Sequence, residues 1–104
     1  MFTYDINVES PDKATVLFSG DIDIDGTEIM AEEIPSKLHG YDKIEFNFKG
    51  VYFLDSTGIG LFMKLVEQVK EQGIEVSITN INEDVNELFE LLQIPKILGE
   101  DLFQ

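Results

Sequence analysis

Apolar and polar residues alternate strictly at the start of the chain. Phe2, Tyr4, Ile6 and Val8 interleave with Thr3, Asp5, Asn7 and Glu9. A period of two belongs to a strand with one buried face. Ser10-Pro11-Asp12-Lys13 is turn chemistry, and Ala14 to Phe18 reads as a second strand, so the chain opens with a hairpin. Ser19 to Gly26 reads as an aspartate-rich loop. From Thr27 to Leu38 the period becomes helical, with Ile29, Met30, Ile34 and Leu38 on one side. Pro35 removes a donor and presses on the preceding turn, which predicts a kink or a short second helix starting there. Gly40-Tyr41-Asp42 ends the segment, and Ile44, Phe46 and Phe48 alternate with Glu45 and Asn47 as a third strand.

After Gly50 comes the apolar run Val51-Tyr52-Phe53-Leu54, then Asp55. The next helix is the clearest in the chain: Ile59, Phe62, Val66 and Val69 make one apolar stripe, and Gly73 is its stop signal. Val76 and Ile78 alternate with Glu75, Ser77 and Thr79 as a fourth strand. Asn82 is placed to cap a third helix, with Glu83 and Asp84 in its favourable first turn. Val85, Leu88, Phe89 and Leu92 are expected to face inward. Pro95 is expected to close that helix, leaving Ile97 to Gln104 as a short tail. The order ββαβαβα predicts one α/β domain over residues 1–104, its parallel strands joined by crossovers and the hairpin antiparallel.

Composition narrows the chemistry. The chain has no cysteine, which excludes disulfides, a thiol nucleophile and cysteine-ligated metal. No apolar run approaches the ~20 residues of a membrane helix, and no basic stretch precedes an apolar one at the start. A cytoplasmic location without membrane contact is therefore expected. The net charge of −14 repels nucleic acid and favours basic protein partners.

Leu54-Asp55-Ser56-Thr57-Gly58-Ile59-Gly60 is the most informative segment. It is a strand end breaking into a helix, with Asp55 as N-cap. First-turn amides without intrahelical acceptors suit an anion, so a phosphate on Ser56 is not expected to melt the helix. Gly58 and Gly60 each cost a helix about 1 kcal/mol relative to alanine. Such a cost signals close packing on the sheet or close approach by another molecule. Leu61 falls away from the apolar stripe, on the side of Thr57, Lys64 and Gln68, and is a candidate partner contact.

The string LDSTGIG, after a strand and an apolar VYF run, resembles the phosphorylation motif of STAS-domain anti-sigma-factor antagonists. Gly20-Asp21-Ile22-Asp23 resembles that family's first loop. The resemblance runs from Phe2 to about Pro95 and implies a mixed four-stranded sheet with helices mainly on one side. It implies a partner-switching regulator, not an enzyme, with no cofactor and acting as a monomer. In that scheme the unphosphorylated protein binds a GHKL-type serine kinase that doubles as anti-sigma factor and releases its target. Phosphorylation of Ser56 ends the binding, and a metal-dependent serine phosphatase restores it. By motif position Asp23, Asp55 and Thr57 flank the phosphoserine, and Gly58, Ile59, Gly60 and Leu61 form the partner-binding stretch. Family members commonly carry a further C-terminal helix, which the tail reading lacks.

Two other classes compete. Asp21-x-Asp23-x-Asp25-Gly26-x5-Glu32 matches a calcium-loop pattern, which makes a small calcium-binding module the alternative. A strand before Asp21, Ile22 and Ile24 within the loop, Glu28 in the usual hydrophobic position and no second loop all oppose it. A hydrolase needs a base held against its serine. His39 is the only histidine and falls in a surface loop, and Ser56 lacks a nucleophile elbow.

Overall fold

The computed structural model describes residues 1–104. Strands β1 (Thr3–Ser10), β2 (Lys13–Ile22), β3 (Lys43–Leu54) and β4 (Glu75–Thr79) form one sheet in the order β1-β2-β3-β4. β1 runs antiparallel to β2, and β2–β3 and β3–β4 are parallel. The mixed sheet and the opening hairpin are as the hydrophobic pattern and the resemblance predict.

Alternation decides where the helices lie. Ala14, Val16, Phe18, Ile44, Phe46, Val76 and Ile78 are all buried. The intervening Asp5, Asn7, Glu45, Asn47, Ser77 and Thr79 are exposed or half-exposed. One face is thus apolar and covered by helices, while the other meets water. Phe18 centres the core, with its ring 5.5 Å from Phe2, 5.6 Å from Phe46, 5.4 Å from Phe48 and 5.9 Å from Phe62. Phe48 and Phe62 meet it edge to face, an arrangement their quadrupoles favour.

The strands are longer than the sequence pattern suggests. β2 continues through Ser19 and Gly20 to Ile22, so the expected loop begins four residues later. β3 includes Gly50 and the whole VYFL run. The register explains both: Leu17 faces Asn47, Ser19 faces Gly50 and Asp21 faces Phe53. At each of those two steps β3 uses three residues where β2 uses two. These bulges keep Val51 and Leu54 pointing inward although a strict period of two would turn Val51 outward. A Cβ at Gly50 would come within 2.8 Å of the Phe18 carbonyl, so only glycine allows the first bulge.

The first helical region starts at Thr27 and forms a π-helical turn over Ile29–Glu33, then α1 (Ile34–Lys37). The interruption expected at Pro35 takes this form: a short helix begins one residue before the proline, preceded by a widened turn. Helix α2 spans Ser56–Glu71, and α3 spans Glu83–Leu91.

The C-terminal region departs most from expectation. Leu92 is 45% exposed rather than inward. α3 ends before Gln93, whose φ of 59° reverses the chain. Pro95 then sits in the first turn of α4 (Ile94–Leu98), where its fixed φ is favourable, so it opens a helix instead of closing one. Nor are the last residues a loose tail. Leu98 and Leu102 are buried, and the Gln104 amide donates to the Ile78 carbonyl at 3.0 Å. No helix is long and apolar enough to cross a membrane.

Candidate functional site

Ile22 and Leu54 face each other in the β2–β3 register, so Asp23 and Asp55 leave the sheet side by side. The Asp55 amide donates to the Ile22 carbonyl at 3.3 Å. Asp55 caps α2: its carboxylate accepts the Gly58 N–H at 2.8 Å. Asp23 caps its own turn, Ile24–Gly26, by accepting the Asp25 N–H at 3.0 Å. Two aspartate-capped turns therefore begin where β2 and β3 end, and Ser56 and Thr57, at the start of the second, are both exposed.

Glycine sets this geometry. A Cβ on Gly58 would lie 1.9 Å from the Ile22 carbonyl oxygen, so the first turn of α2 sits directly over the end of β2. The turn carrying Asp23 is seated from below. Phe2 is buried, and a Cβ on Gly26 would touch its ring at 3.2 Å. The chain's second residue thus supports the acidic loop, a link between distant segments that no local pattern displays.

The expected partner-binding stretch divides in two. Gly58 and Ile59 are buried, so they position the turn and do not reach the surface. Gly60 is exposed, with nothing within 4 Å of a Cβ built on it. Leu61 is half-buried and packs against the core cluster, and so is less free than its place on the helical wheel implies. The sequence reading missed Ile24, 68% exposed between Asp23 and Asp25, and Tyr52 and Phe53, 75% and 53% exposed just before the motif. A bulky apolar residue flanked by acids was the available signal for Ile24. Tyr52 and Phe53 were hidden by the bulges.

The calcium loop and His39 are placed as follows. No three His, Cys, Asp or Glu side chains gather as a metal site. Asp21 lies in β2, and Glu32 belongs to the π-helical turn. His39 is exposed, with Nδ1 3.1 Å from Gln72 Oε1. Gln72 follows the far end of α2, about 24 Å along the helix from Ser56, out of reach as a base.

Sequence and structure comparisons agree with this fold. The STAS domain family matches residues 5–104, and the chain belongs to that family. It is 30% identical over 84 residues to the anti-sigma-B factor antagonist of Bacillus subtilis (strain 168), covering 80% of this chain and 76% of that protein. The fold is similar to the anti-sigma factor antagonist SpoIIAA in its unphosphorylated form, with a TM-score of 0.76 at 17% identity, over 98% of this chain and 86% of that one. The Bacillus SpoIIAA structure in the phosphorylated form gives a TM-score of 0.69 at 17% identity, over 98% and 89% of the two chains.

Proposed function

We propose that the protein is a phosphorylation-controlled partner switch that acts as one STAS domain over residues 1–104, in the cytoplasm and as a monomer, without catalysis of its own. In its unphosphorylated form it binds a GHKL-type serine kinase that is also an anti-sigma factor, and so frees that factor's target. Phosphorylation of Ser56 ends the complex, and a metal-dependent phosphatase restores the binding form. The observation that carries this reading is the exposed Ser56, next to the capping Asp55 on the first turn of a helix seated closely over the end of β2.

The electrostatics suit a switch that leaves the fold alone. A phosphate adds about −1.5 to −2 charges beside two carboxylates. A docking surface would then have to desolvate adjacent anions, which is costly without compensating cations. The helix start tolerates the same anion, so α2 stays formed. Gly60 and Leu61 lie on the partner side, while Gly58 and Ile59 hold the turn in place.

The test compares affinities for the kinase. Ser56→Ala is expected to bind but resist phosphorylation, and Ser56→Asp to bind more weakly with an unchanged melting temperature. Leu61→Ala is expected to lose roughly 1 kcal/mol of binding or more. Equal affinity of Ser56→Ala and of fully phosphorylated wild type would end the reading.

A further inference from the structure

Beside the motif lies a groove that neither the sheet nor the helices need. Tyr52, Phe53, Leu54, Asp84, Val85 and Leu88 line a volume of about 180 Å³ between the end of β3 and the start of α3. Leu54 and Val85 form a buried floor, whereas Tyr52 and Phe53 stand largely in solvent. Leu91, one turn beyond Leu88 and 78% exposed, prolongs the apolar stripe along α3. Contiguous exposed aromatic and aliphatic surface of this kind marks an interaction site.

Two observations define what fits there. The first is backbone chemistry. β4 pairs with β3 only as far as Asn47, so beyond it β3 is paired with β2 on one side and has no strand on the other. Asn82 already occupies one acceptor of that edge, its Nδ2 donating to the Val51 carbonyl at 2.9 Å, which disfavours strand addition. Recognition therefore falls to side chains, as when an amphipathic helix lies in a groove. The second is charge. The segments that leave the strand ends here, residues 21–28, 53–57 and 80–87, hold eight carboxylates and no lysine or arginine. Asp84 lines the groove itself. An acidic helix would be repelled and a basic one attracted, most strongly at low salt.

We propose that this groove seats a cationic amphipathic helix of the partner, placed beside the serine motif. Its apolar face would cover Tyr52, Phe53 and Leu88, and its lysines or arginines would meet Asp84 and the neighbouring carboxylates. The proposal rests on the partner-switching reading only in assigning the helix to the same partner that meets Ser56.

The test uses synthetic peptides of about 14 residues, long enough to form a helix on a surface. One is a leucine–lysine peptide with a single apolar face; the second is its scrambled isomer; the third is a leucine–glutamate counterpart. Binding to the isotope-labelled protein is followed by NMR. The amphipathic basic peptide is expected to shift Tyr52, Phe53, Asp84 and Leu88 together. It is expected to bind at least tenfold more tightly than either control, and Phe53→Ser or Tyr52→Ser is expected to weaken it about tenfold. Both residues are exposed, so these variants should keep their melting temperature. Equal binding of the scrambled peptide with shifts spread over the acidic surface would reduce the effect to net charge and overturn the proposal. So would equal binding after both substitutions, or a self-association of the protein alone that Tyr52→Ser abolishes. No readout here involves Ser56 or the kinase, so failure of the groove and failure of the switch are distinguishable.

Discussion

Gly58 and Gly60 lie two residues apart in α2, and their surroundings differ completely. Gly58 is buried against the Ile22 carbonyl, where a Cβ would come within 1.9 Å. Gly60 is exposed, and a Cβ there would meet nothing within 4 Å. The difference separates the inner side of the helix, which holds the motif over the sheet, from the outer side, which a partner can approach. Helix propensity penalises both glycines alike, yet only Gly58 is explained by the fold. Gly60 is a destabilising residue in an exposed helix with no internal reason to be there.

The inner side breaks first. Phe62→Ala removes the α2 ring that meets Phe18, Phe46 and Phe48. It is expected to cost about 3–5 kcal/mol, read by chemical denaturation. Gly58→Ala drives a methyl group into backbone, which a rotamer change cannot relieve. It is expected to cost about 3 kcal/mol and to displace the start of α2. Full stability in this variant would show that the motif is not seated as described.

On the outer side the sign reverses. Gly60→Ala is expected to stabilise the isolated protein by about 0.5–1 kcal/mol while weakening its complex with the kinase. Gain of stability with unchanged affinity would leave the outer side without a partner role. The smallest effect lies far from both glycines. Tyr4 donates to Glu33 and accepts from Lys37 Nζ at 2.8 Å, tying β1 to the first helical region. Burial, then the Glu33 hydrogen bond, raises the Tyr4 pKa above its ordinary 10.0. The hydrogen bond to Tyr4 raises Lys37 above 10.5. Folding therefore favours both protonated forms. Their contribution is complete below about pH 10 and is lost as pH rises through the folded values. Tyr4→Phe should therefore lose a small amount of stability at neutral pH and flatten the alkaline end of the profile, so that variant and wild type converge as pH rises past about 10.

The sequence by itself determined the elements whose pattern is local. Alternation placed the hairpin and the cores of β3 and β4. The stripe Ile59, Phe62, Val66 and Val69 fixed which side of α2 is buried, and Asp55 and Asn82 announced the helix starts. Ser56 was legible because its motif is contiguous. The tertiary structure alone decided whatever depends on two segments meeting. The two bulges lengthen β2 and β3, because register is a property of a strand pair and not of either strand. Those bulges also turn Tyr52 and Phe53 out beside α3. Phe2 supports the turn that carries Asp23, and Gln93 in the left-handed conformation lets Pro95 begin α4. Gly58 and Gly60 read alike along the chain; only the Ile22 carbonyl, carried in by another strand, tells them apart.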